Sequence, residues 1–394
     1  MDKVTRFRAY HLGVKGASFS LSVDNDFTLI EARLNDSNFK NVINEMRIVG
    51  AQTVSLLHIT SWDEDHCNNK ELELILRYLK PQKIEFPGYN PDTECGIASF
   101  RMIKNYLQQN KFDGISMSPT FINLLEAGES AKFSTIIYNP TKQYEKHNDM
   151  STAALFRKGR FTVLSLGDCE SPDIANTIMN DIMANQETDV MLMAHHGADN
   201  GFTTEEFIQK IAPRVAICAC DYDNQYNHPK KEVTDILYNN GVRYFTTKTG
   251  DVLIVCGTDN NVHVTNFIGN GTKVSSNYGS WKNKLNKGRI PEWLVPTEEM
   301  QKISKIATEM DTTLWFTADD KLNETPEALF ACGQYNICMN LLEYINKLKT
   351  DMTNTTAAHK YIMQFENQLM DDWRKFKDNP KWLVKYLRES NIKD

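Results

Sequence analysis

The sequence predicts an α/β protein whose sheets are covered by helices, and three observations support this fold class. Over residues 1–275, short apolar, β-branched runs alternate with stretches of helical periodicity. Four of these runs are followed within about four residues by Gly, Asp or His: 54–59, 161–166, 189–193 and 215–220. The composition, 41% hydrophobic and 24% charged, is that of an ordinary globular protein with a sizeable buried core.

The length of 394 residues suits one catalytic domain with an appendage, which we assign to 1–275 and 276–394. The basic, Gly-containing stretch 282–289 indicates a linker, and Thr325-Pro326 and Asn379-Pro380 indicate helix starts beyond it. A stripe at three- and four-residue spacing lies between them: Ile362, Phe365, Leu369, Trp373 and Phe376. We therefore expect an α-helical C-terminal extension that packs internally, with a protein partner or self-association as the alternative.

Charge and targeting features restrict the classes of partner. The net charge of −7 means that any nucleic-acid contact must come from a local basic groove. No apolar run is long enough to cross a bilayer and the start lacks a signal-peptide core, so we expect a cytoplasmic protein without a membrane partner. The 8 cysteines show no disulfide spacing, and only Cys218 and Cys220 form a close pair, so reduced thiols are expected.

Candidate metal ligands follow three of the predicted strands. The segment HITSWDEDHCNN (58–69) supplies Asp63, Asp65 and His66, and LSLGDCE (164–170) supplies Asp168. LMAHHGADN (192–200) supplies a pair of adjacent histidines. Because ligands gather at the carboxyl ends of strands in α/β sheets, these groups predict one divalent-metal site.

The adjacent histidines His195 and His196 are both candidate ligands. Neighbouring residues at a strand end can point to opposite faces, so the sequence does not assign the ligand. We prefer His195, with His196 in a supporting role.

These motifs, in this order and spacing, resemble the metallo-β-lactamase fold and specifically the soluble hydrolase domain of ComEC-type DNA-uptake proteins. The resemblance covers most of residues 5–257 and includes VKGASF (14–19), NDMS (148–151) and DYDNQYNHP (221–229). It implies an αββα sandwich in which Asp65, His66 and a bridging Asp168 join one histidine of the pair at the better metal site. The residues that we expect on the substrate side are Lys15, Asn148, Ser151, Asn224, Tyr226 and His228.

The sequence departs from the family pattern at the first metal site. The usual His-x-His-x-Asp-His is Ser61-Trp62-Asp63-Glu64-Asp65-His66 here, and Ala17 stands at the usual Asp of the opening turn. Oxygen ligands shift metal preference from Zn²⁺ towards Mn²⁺ or Mg²⁺. We expect one or two ions, with Asp63 as the main ligand of the altered site and Zn²⁺ or Mn²⁺ at the better one.

The resemblance implies a metal-dependent phosphodiesterase, most simply a nuclease, that uses a metal-bound hydroxide. The expected catalytic residues are Asp65, Asp168 and His228, where His228 stabilises developing charge and protonates the leaving group. Soluble relatives of this type are associated with bacterial conflict, so an antiviral defence module is the expected setting. Two alternatives stay open: a hydrolase of a small ester, lactone or phosphocholine-like substrate, and a metal-poor scaffold that acts through its helical tail.

Overall fold

Fifteen strands in two sheets make up the framework of the computed structural model, which describes residues 4–117, 134–257, 261–269 and 273–284. The strands are β1 (Thr5–Ala9), β2 (Phe19–Val23), β3 (Asp26–Ile30), β4 (Leu56–His58), β5 (Lys83–Phe86), β6 (Asp113–Ser116), β7 (Thr135–Asn139), β8 (Ala153–Phe156), β9 (Thr162–Ser165), β10 (Thr188–Leu192), β11 (Val215–Cys218), β12 (Arg243–Thr246), β13 (Val252–Cys256), β14 (Asn261–Ile268) and β15 (Lys273–Lys282). Strand β15 continues past residue 275, the expected domain boundary. The helix starts and apolar stripe predicted for the C-terminal extension lie outside the described residues.

Seven α-helices connect these strands within the described ranges. They are α1 (Phe39–Val49), α2 (Asn69–Leu74), α3 (Glu94–Asn110), α4 (Pro172–Met179), α5 (Ile182–Glu187), α6 (Glu205–Ile211) and α7 (Lys231–Asn239). Their starts follow local sequence chemistry: the side chains of Asn68, Thr93 and Ser171 accept hydrogen bonds from backbone N–H groups of the first turn. Pro172 follows Ser171 at the first helical position, where its missing N–H costs nothing.

The larger sheet has nine strands in the order β15-β14-β13-β1-β2-β3-β4-β5-β6, and the smaller has six in the order β12-β11-β10-β9-β8-β7. Side chains from the two sheets share one buried core, in which Phe7 and Ile254 of the larger sheet meet Val190 and Ile217 of the smaller. On the other face of β1, Arg6 pairs with Glu45 of α1. The predicted αββα sandwich is thus confirmed for the described residues.

Parallel pairing determines where the loops that follow the strands lie. Strands β3 to β6 are parallel neighbours, as are β9 to β12. Strands β9, β10 and β11 are buried at every position, as expected for parallel strands covered on both faces. The loops after β4, β9, β10 and β11 therefore meet at one edge of the sandwich and carry the candidate ligands.

In the described part of the chain, no helix has the length and apolar character that crossing a membrane requires.

Candidate metal centre

Four side chains converge where these loops meet: Asp65, His66, Asp168 and His196. One ligand atom from each lies within 4.8 Å of the others. The shortest approach joins His66 Nε2 to Asp168 Oδ1, at 3.0 Å. His196 Nε2 lies 3.6 Å from Asp168 Oδ1 and 3.7 Å from Asp65 Oδ2. Atoms bound to one ion at about 2.0–2.2 Å lie within about 4.4 Å of one another, so small movements would complete a coordination sphere.

Two imidazole nitrogens of this cluster lack a hydrogen-bond partner, which fits a metal ion. The Nε2 atoms of His66 and His196 are buried, and neither has a hydrogen bond of acceptable geometry. A buried polar atom without a partner is costly, and a metal ion would satisfy both at once. Two carboxylates and two imidazoles form a donor set suited to Zn²⁺ or Mn²⁺. The residues present therefore fit a divalent metal.

The backbone of the Asp65 loop is fixed by the opening turn at residues 14–19. Ala17 N donates to Asp65 O at 3.1 Å, and Gly16 has a φ of 132°. A Cβ on Gly16 would lie 2.5 Å from Asp65 O and 2.1 Å from a terminal nitrogen of Arg33. Only glycine allows the turn to pass this close to the ligand loop.

Glu31 orients His66 from the side opposite the cluster. It follows β3 directly, is only 2% exposed, and places Oε1 3.1 Å from His66 Nδ1. Its carboxylate also accepts from Thr60 N at 3.0 Å. A carboxylate on Nδ1 holds the imidazole so that Nε2 faces the metal and strengthens it as a ligand. Our sequence analysis did not select Glu31, although an acidic residue ending an apolar strand is the same signal that identified Asp168.

The structure selects His196, rather than the preferred His195, for the cluster. His195 Nδ1 lies 2.9 Å from Glu170 Oε1, whereas His196 Nδ1 lies 2.7 Å from Ala219 O with Nε2 directed at the carboxylates. Both histidines adopt left-handed backbone conformations, with φ values of 44° and 55°. This unusual turn, and not strand alternation, determines which ring faces inward.

Asp63 lies outside the four-residue cluster, in the altered first site for which we expect it to be the main ligand. Its Oδ2 accepts from Ser61 Oγ at 3.0 Å and lies 3.4 Å from His147 Nδ1. His147 Nε2 in turn lies 3.2 Å from Asp92 Oδ1. The sequence gave no role to His147. The structure places it between the carboxylates of Asp63 and Asp92, beside the altered first metal site.

Three residues of the cluster, Asp65, Asp168 and His196, line a cleft of about 700 Å³. Five of the six residues expected on the substrate side line this cleft: Lys15, Asn148, Asn224, Tyr226 and His228. The sixth, Ser151, is fully buried, and its Oγ accepts from Asp168 N at 3.1 Å. Ser151 therefore supports the Asp168 loop and does not face the substrate.

Hydrogen bonds fix two of the cleft residues, and a third is exposed. Asn148 Nδ2 donates to Glu170 Oε1 at 2.8 Å, and Asn224 Oδ1 accepts from His228 N at 2.6 Å. The Tyr226 side of the cleft is open, because this residue is 46% exposed and its ring stacks on His228 at a centroid distance of 5.6 Å. An exposed aromatic face thus lies beside the candidate metal centre.

The environment of His228 disfavours the expected proton-donating role. Burial, together with the positive charges of His196 and His195, lowers the pKa of His228 to about 4. A group with this pKa is almost entirely neutral at pH 7 and holds no proton to give as an acid. Neutral His228 is suited to hydrogen bonding with the substrate.

Opposite charges control the protonation of the cluster itself. Burial lowers the pKa of His66, but the charges of Asp168 and Glu31 outweigh it and raise that pKa well above its usual value. The pKa of His196 is raised for the same reason, with Asp168 as its main favourable partner. Burial raises the pKa of Asp168, but the charges of the two histidines lower it below its usual value. Without a metal ion, the carboxylates are ionised and stabilise protonated imidazoles.

Metal binding is therefore expected to release protons and to strengthen as the pH rises. A ligand imidazole must be neutral, and raised pKa values mean that protons compete with the ion even near neutral pH. We expect the dissociation constant for Zn²⁺ or Mn²⁺ to fall steadily from pH 6 to pH 8, with release of up to about two protons per ion. Isothermal titration calorimetry in buffers of different ionisation enthalpy measures both quantities. An affinity that stays constant over this range would contradict the proposed ligand set.

The two facing sheets, the outer helices and the histidine–carboxylate cluster at the common strand edge form an αββα sandwich of the metallo-β-lactamase fold type, with a candidate metal site at that edge. No family model matches the chain. In sequence it is similar to ComE operon protein 3 of Bacillus subtilis (strain 168), with 25% identity over 198 residues, which cover 50% of this chain and 24% of that protein. The chain thus matches about a quarter of the length of this relative.

Solved structures of low sequence identity also align with the chain. One is Igni18, described as a novel metallo hydrolase from the hyperthermophilic archaeon Ignicoccus hospitalis KIN4/I, with 15% identity, coverage of 64% of this chain and 98% of that chain, and a TM-score of 0.38. Another is a variant of the CmlA beta-hydroxylase, with 13% identity, coverage of 64% and 54% respectively, and a TM-score of 0.39.

Proposed function

We propose that this protein is a metal-dependent phosphodiesterase that hydrolyses a phosphodiester bond of a nucleic acid or nucleotide. The observation that carries the proposal is the cluster of Asp65, His66, Asp168 and His196 within a cleft that also presents Lys15 and Tyr226. The cluster supplies a site for a divalent ion, and the cleft supplies groups suited to an anionic, aromatic substrate. We propose one firmly held ion, Zn²⁺ or Mn²⁺, at the four-residue cluster.

A divalent ion held there would polarise a phosphoryl oxygen and lower the pKa of water, so that water can add to phosphorus near neutral pH. The chain's own contribution is to hold and orient the ligands. Glu31 fixes the ring of His66 through Nδ1, and Ala219 O fixes that of His196 in the same way. Such preorganised ligands need little rearrangement during the reaction.

Lys15 is placed to bind the phosphodiester charge. Its Nζ lies 2.9 Å from Asp65 Oδ2 and 5.6 Å from the centre of the Tyr226 ring, while its side chain remains 57% exposed. An ammonium group beside the metal ligands can pair with a non-bridging phosphoryl oxygen. The exposed Tyr226 ring beside it offers a surface on which a nucleobase can stack. Together these two residues favour a nucleotide-containing phosphodiester.

The proposal is tested by assaying the full-length chain with Mn²⁺, Zn²⁺ or Mg²⁺ on bis-p-nitrophenyl phosphate, on single- and double-stranded DNA and RNA, and on p-nitrophenyl acetate. We expect metal-dependent cleavage of phosphodiesters. Lys15→Ala should lower kcat/KM for phosphodiesters about tenfold or more, because it removes a charge-assisted contact. The same change should leave cleavage of a neutral ester nearly unaltered.

The matched control is Lys231→Ala, which removes an exposed lysine of α7 that pairs with Asp235. This variant should retain wild-type kinetics. Metal-dependent cleavage of the acetate ester without cleavage of any phosphodiester would overturn the proposal in favour of a small-ester hydrolase. A protein that binds no metal and cleaves no substrate would support the metal-poor scaffold.

A further inference from the structure

A pair of cysteines lies beside the candidate metal centre, at the end of β11. Cys218 is the last residue of that strand, and Cys220 follows one residue later. Their Sγ atoms are 3.4 Å apart, because side chains two positions apart in an extended chain point to the same side. This distance is close to van der Waals contact, so the two sulfurs already face each other and a bond between them needs an approach of a little over ~1 Å.

Residues 218–220 contact His196 through two hydrogen bonds. The Cys218 thiol donates to His196 O at 3.0 Å, and Ala219 O lies 2.7 Å from His196 Nδ1. Thr247, the residue after β12, anchors the segment, since its Oγ1 accepts from Cys220 N at 3.0 Å. Any displacement of residues 218–220 would therefore be transmitted to the histidine that completes the cluster.

Cys220 is the member of the pair that borders the cleft. It contributes to the wall of the 700 Å³ cleft, whereas Cys218 is fully buried behind it. The pair thus joins a cysteine at the cleft wall to a buried cysteine whose sulfur lies 3.4 Å away.

We propose that Cys218 and Cys220 form a reversible disulfide in the presence of a hydroperoxide, and that this bond weakens metal binding at the adjacent cluster. The disulfide and its effect on metal affinity do not depend on the substrate. Only the resulting loss of hydrolysis rests on the proposed function.

The chemistry balances in two steps. Cys220 loses its proton and the thiolate attacks one peroxide oxygen; the O–O bond breaks, giving a sulfenic acid and, from hydrogen peroxide, a hydroxide that takes up the released proton to form water. The Cys218 thiol then attacks the sulfenic sulfur, the S–S bond forms as the S–O bond breaks, and a second water leaves with the Cys218 proton. Two thiols are oxidised by two electrons in total, and one hydroperoxide is reduced. A dithiol reverses the change.

Formation of the bond changes both contacts to His196. A disulfide needs the sulfurs at about 2.05 Å, so they must approach from 3.4 Å and the backbone of Ala219 must follow. The thiol hydrogen that Cys218 donates to His196 O is also lost. A ligand whose supporting partners are disturbed typically loses about 10–100-fold in metal affinity.

The test uses the full-length, reduced, metal-free protein exposed to stoichiometric hydrogen peroxide. Peptide mapping should find residues 218 and 220 joined, with the loss of two hydrogens. Titration should show Zn²⁺ or Mn²⁺ affinity reduced at least about tenfold and restored by dithiothreitol. Cys220→Ser should abolish both effects of the peroxide. Cys218→Ser should instead leave a sulfenic acid at Cys220 that dimedone traps.

Cys95→Ser is the matched control, because Cys95 is a partly exposed cysteine on α3, outside the cluster. This variant should respond to peroxide as the wild type does, and Cys220→Ala provides a second replacement if serine impairs folding. Oxidation of other cysteines without a 218–220 bond would overturn the proposal, as would a 218–220 bond that leaves metal affinity unchanged. A working switch in a protein that cleaves no phosphodiester would overturn the proposed function alone.

Discussion

Replacement of Asp168 by alanine is expected to abolish metal binding and, with it, metal-dependent hydrolysis. Asp168 Oδ1 lies 3.0 Å from His66 Nε2 and 3.6 Å from His196 Nε2, so this carboxylate links the two imidazoles of the cluster. Loss of a supporting partner already costs about 10–100-fold in metal affinity, and loss of a ligand should exceed about 100-fold. Titration with Zn²⁺ and Mn²⁺ measures the affinity directly.

Thermal unfolding distinguishes this loss from misfolding. Metal at about 100 times its dissociation constant stabilises a protein by about 2.7 kcal/mol, which should raise the wild-type Tm by about 5 °C or more. Asp168→Ala should unfold cooperatively but show no such rise. The control Asp173→Ala, which removes an exposed carboxylate paired with Lys142, should retain it. A metal-induced rise that persists in Asp168→Ala would argue against the cluster as the metal site.

The second large effect is expected for His196→Asn, in contrast to His195→Asn. Removal of the His196 imidazole should lower metal affinity by more than about 100-fold, because its Nε2 faces Asp65 and Asp168. Removal of His195, whose Nδ1 faces Glu170, should change metal affinity only a few-fold. Affinity measured by competition with a chromogenic chelator would separate the two variants.

The two substitutions are matched in their backbone requirements. Both positions have left-handed φ values, 44° and 55°, and asparagine tolerates this region better than alanine does. A difference in metal affinity between the two variants therefore reflects the imidazole that was removed and not a change in the backbone of the turn. Equal losses in both variants, or a greater loss at His195, would reverse the assignment of the ligand.

The fold and three of the four cluster residues followed from local sequence patterns. Runs of β-branched residues that end in Asp or His predicted the strands and placed Asp65, His66 and Asp168 at their carboxyl ends. This worked because parallel strands require continuous apolar runs and present their following loops at one edge. The ligand roles of these residues stay predictions until metal binding is measured.

Local patterns could not show contacts between segments distant in sequence. Glu31 approaches His66 because β3 and β4 are parallel neighbours, a pairing that the sequence of either strand does not specify. His147 lies beside Asp63 and Asp92 only because the chain returns to this edge after β7. The sequence analysis selected neither residue, because what brings each of them to the site is a contact with a segment distant in sequence.

The sequence by itself determined an α/β sandwich with histidines and carboxylates at the ends of its strands, because apolar periodicity and strand-end residues are local properties of the chain. Only the tertiary structure decided that His196 and not His195 turns inward, because consecutive left-handed residues at 195–197 override strand alternation. It also decided that residues 218–220 contact this histidine, since such proximity depends on how parallel strands align and not on local sequence.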